Sequence, residues 1–263
     1  MGVCFSEKPK KEIDLLEDNK KKEPLIPKQV LDKLFNSIIR INYILNEENF
    51  IGTGFFIKFE LKNKLKYFLM TNHNIIGENL IKDKKLIKFD YREDDKEKNF
   101  EIQLDRNKRY IKCYGEPLDV TLVEILDEDN IKKDNFLEPD LNYKNGYNFY
   151  KDKSFYLPGY PQNNLNDINI KTVKIINILN NSEFEFTLDT EHGNSGAPIC
   201  LENNLSVVGI HKQRKKDENI FYGTFLGYIL DNIENETEEK KYCKLEKQKL
   251  KISIQMIQNF WKK

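Results

Sequence analysis

Short apolar runs rich in β-branched and aromatic residues alternate with polar breaks along most of this chain, the pattern of strands joined by turns. Residues 37–45, SIIRINYIL, give a first strand, and Asn46–Asn49 a turn. Ile51–Ile57 gives a second strand, interrupted by Gly52 and Gly54. Glycines inside a strand mark a bulge or a tight bend. Lys66–His73 is a third strand, ending on a histidine. Phe100–Leu104 alternates, Tyr110–Tyr114 does so in part, and a strongly apolar strand follows directly after Asp119. Leu205–His211 is a further strand, and Tyr222–Leu230 reads as the last, running toward Ile233. Helical spacing is clear near the C-terminal end, at Leu250, Ile254, Ile257 and Trp261. This amphipathic helix either packs on the domain or, with lysines beside its apolar face, docks on a partner or membrane.

Composition narrows the class. A hydrophobic fraction of 39% supports a real core, and 263 residues suffice for one large domain or two small ones. Lysine plus arginine equals aspartate plus glutamate at 43 each, so no global field draws the chain to nucleic acid. No apolar run approaches the roughly 18 residues of a membrane span. Four widely spaced cysteines, Cys4, Cys113, Cys200 and Cys243, form no C-x-x-C pair, and the start lacks an apolar signal segment. Together these predict a reducing compartment without a disulfide framework.

The first six residues, Met1-Gly2-Val3-Cys4-Phe5-Ser6, fit the N-myristoylation pattern. Acylation needs glycine after removal of Met1, because the α-amine must be unhindered. One myristoyl chain binds membrane marginally, and palmitoylation of Cys4 would supply the second anchor. Residues 7–27 follow as a charged spacer in which lysines are offset by acids, a poor polybasic patch. The expectation is a chain lipidated at Gly2 and Cys4 on the cytoplasmic face of a membrane, and otherwise cytoplasmic.

The candidate chemistry centres on residues 190–198, TEHGNSGAP. Ser195 lies between glycines on a tight turn. Gly193 can adopt backbone angles that a side chain forbids, so consecutive N–H groups can converge beside the serine oxygen, where an oxyanion would form. Histidine is scarce: His73 ends the third strand, His192 flanks the serine and His211 follows in the next strand. Asp119 either closes a loop or orients an imidazole and stabilises it once charged. A metal site from His192, His211 and Cys200 lacks close ligand spacing, and no cofactor is expected.

Four segments now stand in one order. Residues 52–57 (GTGFFI), 69–73 (LMTNH), 119–123 (DVTLV) and 193–198 (GNSGAP) resemble the motifs of the chymotrypsin-like serine proteases, in the branches without disulfides. The order His, Asp, Ser separates this pattern from α/β-hydrolases and subtilisins. The resemblance covers roughly residues 37–233. It implies an all-β fold of two packed six-stranded antiparallel β-barrels with the active site between them. It also implies Ser195 as nucleophile, His73 as general base, Asp119 as its orienter, and the N–H groups of Gly193 and Ser195 as oxyanion hole.

Asn194 stands where the secreted digestive members have an aspartate that pairs with a newly cut N-terminus, so that activation switch is not expected. Residues 157–161 (LPGYP) and 189–196 (DTEHGNSG) resemble the glutamyl-endopeptidase branch. In that branch a histidine and a hydroxyl line the pocket, positions matched here by His211 and Thr190. Both can donate to a carboxylate or amide oxygen, implying Glu or Gln before the cut. Asp189 pointing into the pocket would instead favour Lys or Arg, but adjacent strand residues face opposite ways. Residues 212–217 (KQRKKD) replace the family's glycine pair, as a solvated turn or an attractor of acidic substrates.

The expected organisation is therefore an anchor and spacer over 1–28, a protease domain over 29–235 and a C-terminal helix over 236–263. The expected partners are a protein or peptide substrate and a membrane.

Overall fold

The computed structural model describes residues 26–45, 48–94, 96–160, 168–187, 194–214 and 219–236. The lipidation segment with Gly2 and Cys4, the helix expected over 236–263 beyond Glu236, and Asp189, Thr190, His192 and Gly193 lie outside the described residues. Among the described residues no helix is long and apolar enough to cross a membrane.

Helix α1 (Lys28–Ser37) leads into the first sheet. That sheet contains β1 (Ile38–Leu45), β2 (Glu48–Leu61), β3 (Lys64–Thr71), β4 (Leu86–Glu93), β5 (Lys96–Gln103), β6 (Ile111–Tyr114) and β7 (Val120–Glu124). A short helix α2 (Glu78–Lys82) separates β3 from β4. The sheet has seven antiparallel strands in the order β5-β4-β1-β2-β3-β7-β6. The second half contains β8 (Ser154–Gly159), β9 (Asn169–Ile178), β10 (Glu183–Thr187), β11 (Pro198–Leu201), β12 (Val207–Arg214) and β13 (Ile220–Phe225). These six close into a barrel in the order β10-β13-β12-β11-β8-β9. The second unit thus matches the expected six-stranded barrel. The first has an added strand, because β4 and β5 pair as a full hairpin from Leu86–Gln103 to Glu93–Lys96.

Two sequence expectations need correction. Pairing of β1 with β2 runs through Gly52 and Gly54 with unbroken register, so neither glycine makes a bulge. The partner changes at Phe55, which pairs with Ile38 on one side and Met70 on the other. The last strand ends at Phe225, and residues 226–236 form a helix, α3, in place of a strand to Leu230. Leu226, Ile229, Leu230 and Ile233 recur one helical turn apart and are all buried. The ring of Tyr143 packs directly on Gly227, where an added Cβ would lie 2.3 Å from it.

The apolar runs of β2, β3 and β7 have a packing cause. Their odd and even residues serve different cores. Phe55, Ile57, Phe59, Phe68, Met70, Val120 and Leu122 join the core shared with the second barrel. Phe56, Leu69 and Val123 point the other way, into the core of the first sheet with Phe89 and Ile102. Strands buried on both faces read as continuous hydrophobic runs. Each such large side chain contributes about 1.5–3 kcal/mol on burial. This is why the motif-bearing strands are also the most buried.

Candidate active site

The turn bearing Ser195 is stitched to both halves of the molecule. Thr53 on β2 donates its N–H to the Ser195 carbonyl at 2.9 Å, and Thr71 on β3 donates its hydroxyl to the Thr53 carbonyl at 2.7 Å. Tyr160 N–H donates to Thr53 Oγ1 at 3.1 Å. On the barrel side, Gly196 N–H donates to the His211 carbonyl and His211 N–H to the Ala197 carbonyl, at 3.0 and 2.8 Å. Gly196 adopts φ +87°, and a Cβ there would sit 2.1 Å from the Thr53 carbonyl oxygen. Only glycine meets both demands.

His73 follows β3 directly, two residues beyond Thr71, and is half-buried. The chain after it folds back on itself, with Ile75 and Ile76 donating their N–H groups to the Asn72 carbonyl. Asp119 meets this turn from the far side. Asn72 Nδ2 donates to the Asp119 carbonyl, and Asn74 N–H donates to Asp119 Oδ1, both at 2.9 Å. Asp119 is buried and adopts φ +50°, in the left-handed region. Among the described residues, His73 Nδ1 is buried without a hydrogen-bond partner. The Asp119 carboxylate thus meets the backbone on one side of His73, at Asn74, while the Asn72 side chain on the other side holds the Asp119 carbonyl. The Ser195 turn sits against Thr53, two residues before Phe55 and across from Thr71.

Burial pushes the Asp119 carboxyl up to about 6, opposed by the Asn74 N–H. Glu116 pushes the same way as burial, while Lys212 and His73 favour the charged form. His211 is held in an apolar cage. Its ring packs on those of Phe186 and Phe221, each with centroids 5.6 Å away. Burial lowers it to about 4, with the Asn194 backbone standing close and acting the other way. Among the described residues neither ring nitrogen makes a well-formed hydrogen bond. Asn194 is itself buried, its Oδ1 aimed at the backbone of Gly159 at the end of β8.

Lys212 differs from the sequence expectation. It is buried, neither solvated nor free to attract substrate. Its ammonium donates to Glu116 Oε2 at 2.8 Å, the Pro117 carbonyl at 2.6 Å and Glu183 Oε1 at 2.8 Å. Thr53, Thr71, Asn72, Asn74 and Lys212 are the site neighbours that sequence reasoning left unassigned. The T-N-H run holds three of the nearby positions, while the partners of Lys212 are distant in sequence. Among the described residues no group of His, Cys, Asp and Glu could hold a metal ion. Cys200 of the considered metal set is fully buried, with its thiol pushed up by burial.

No protein-family profile and no curated protein matches the chain. Solved structures do. The serine endoprotease from Yersinia pestis aligns with a TM-score of 0.56 at 12% identity, over 79% of this chain and 66% of that one. The scabies mite inactivated protease paralogue S-I1 aligns with a TM-score of 0.53 at 14% identity, over 79% and 96%. The active form of the Rv3671c protease from M. tuberculosis aligns with a TM-score of 0.52 at 17% identity, over 78% and 84%. The fold is chymotrypsin-like. The Ser195 turn is bonded to β2 of the sheet and to β12 of the barrel, and the Asp119 turn is bonded to the turn after β3 and to β12 and β13.

Proposed function

We propose that the chain is a serine endopeptidase that cleaves peptide bonds through an acyl-enzyme. The observation that supports this reading is a pair of held turns. The Ser195 turn is bonded to Thr53, and the Asp119 carboxylate is bonded to Asn74, next to His73. In this reading Ser195 Oγ attacks the scissile carbonyl. His73 takes the proton and returns it to the leaving amine. Asp119 holds the imidazole in one tautomer and stabilises it when charged. The N–H groups of Gly193 and Ser195 stabilise the tetrahedral oxyanion.

Substrate choice falls to His211 with Thr190. A buried imidazole, held neutral at pH 7 by burial and without a well-formed hydrogen bond among the described residues, can donate its N–H to an incoming carboxylate or amide oxygen. Glu or Gln is therefore the proposed residue before the cut. Gly2 and Cys4 are the proposed lipid sites, tethering the enzyme to the cytoplasmic face of a membrane.

The test is labelling of the full chain by a fluorophosphonate probe. Wild type is expected to label and Ser195→Ala to remain unlabelled. Equal labelling removes Ser195 as nucleophile. Cleavage of peptides after Lys or Arg would instead favour Asp189 in the pocket. For the tether, Gly2→Ala should leave the membrane fraction; unchanged partition removes the lipid.

A second reading, a protease-like module without turnover, draws on one feature: His73 Nδ1 is unpartnered while Asp119 Oδ1 is taken by Asn74 N–H. It predicts no labelling of wild type.

A further inference from the structure

The Asp119 turn has an anchor outside the triad. Residues 115–119 close on themselves, with Leu118 and Asp119 both donating N–H groups to the Gly115 carbonyl at 3.1 Å. The turn belongs to the first sheet, yet its side bonds go to the barrel. Lys212 on β12 binds Glu116 and the Pro117 carbonyl within it, and Thr224 on β13 donates its hydroxyl to the Leu118 carbonyl at 2.8 Å. Glu183 on β10 holds the same ammonium from behind. Lys212 is only 2% exposed, and a buried lysine without partners would be expelled or neutralised. Here burial alone would depress it, but the bonds to Glu116 and Glu183 outweigh that and hold it charged.

We infer that Lys212 is a positioning residue: its ammonium locks the Asp119 turn onto the second barrel and so fixes the carboxylate beside His73. The inference rests on the reading of Asp119 as orienter of His73. Lys212 sits at the irregularity of β12, where its register with β13 shifts between His211 and Gln213. One side chain thereby couples the strand bearing the specificity residue to the loop bearing the orienter.

The charged groups facing Asp119 are Glu116 on its own turn, His73 after β3 and Lys212 on β12, with Glu183 behind Lys212. Removing the ammonium should therefore raise the midpoint of Asp119 titration.

The test uses the full chain with 13C-labelled aspartate. The Asp119 carboxyl is titrated by NMR in wild type and Lys212→Met, and fluorophosphonate labelling rates are measured alongside. Lys212→Met is expected to raise the Asp119 midpoint by about one pH unit and slow labelling about 100-fold. Glu183→Gln leaves the ammonium but removes a neutralising partner, and should move the midpoint downward. That opposite sign is not expected of a general loss of packing, and it serves if Lys212→Met does not fold. Ser195-dependent labelling at an unchanged rate and midpoint in Lys212→Met overturns the clamp and leaves the triad standing. A wild type that does not label, with an Asp119 midpoint that still follows Lys212, overturns the triad and leaves the clamp. A midpoint that moves in neither variant overturns the inference.

Discussion

The turns that carry Ser195 and Asp119 are fixed by opposite means. The Ser195 turn is held by shape. Gly196 at φ +87° lies against the Thr53 carbonyl with no room for a methyl group, and its bonds join neutral backbone groups. The Asp119 turn is held by charge. It places a buried carboxylate, with a pKa near 6, close to a buried ammonium that spans two acids. A shape-held turn tolerates a change of pH and fails on added volume. A charge-held turn accepts an isosteric change and responds to pH. Under the proposed mechanism, the nucleophile needs a fixed backbone around its oxyanion donors, whereas the orienter must match a charge that comes and goes on its histidine.

The largest expected effect breaks the charged side. Asp119→Asn keeps the acceptor for Asn74 N–H but removes the negative charge. Labelling should slow about 10³–10⁴-fold. Stability should move the other way. A carboxyl raised in the folded state stabilises most fully below about pH 4 and loses that contribution as pH rises through about 6. At pH 8 the amide variant should thus unfold at an equal or higher temperature than wild type in thermal melts. A clear drop in melting temperature would show that the ionised carboxylate stabilises the fold, against its raised pKa.

Gly196→Ala attacks the other side. Left-handed backbone and the clash with the Thr53 carbonyl together should cost about 3 kcal/mol or more, measured by urea unfolding, with no dependence on pH. A tolerated alanine would show that shape does not hold this turn.

His211 sharpens the comparison through pH. Its folded pKa near 4 lies below that of a free imidazole, so it contributes stability above about pH 6.5 that is lost as pH falls through 4. The loss is on the order of 3 kcal/mol. Its slope opposes that of Asp119 over the same range. His211→Phe, which suits the Phe186 and Phe221 cage, should remove this acid loss and leave the reverse slope visible in unfolding at pH 4 and 6. The smallest effect is expected at Thr71→Val, which deletes the bond to the Thr53 carbonyl and should cost about 1 kcal/mol.

The shape-held side was the more legible one in the sequence. The run around Ser195 names its own turn, because glycine at a positive φ is a local requirement. The strands of the first sheet were visible where both faces are buried, as in β2, β3 and β7. Leu86–Glu93 was left unassigned although its burial alternates strictly, since its polar residues are charged and outnumber those of a usual strand signal. α3 was taken for strand because Phe225 and Leu226 run on from β13 without a break, yet the spacing of Leu226, Ile229 and Ile233 was already helical. Lys212 lies in a run, KQRKKD, that reads as a solvated turn or an attractor of acidic substrates. Its partners Glu116 and Glu183 lie far away in the chain, and no local pattern reports a contact made only on folding.

The central claim, an acyl-enzyme on Ser195 formed with His73 and Asp119, is tested most directly by a pre-steady-state burst. Mixing the full chain with an activated ester of an N-blocked glutamate should release leaving group in a burst stoichiometric with the protein. The burst should vanish in Ser195→Ala and fall severely in His73→Ala. A burst of equal size in Ser195→Ala, or none in folded wild type with either glutamyl or glutaminyl esters, would contradict the account.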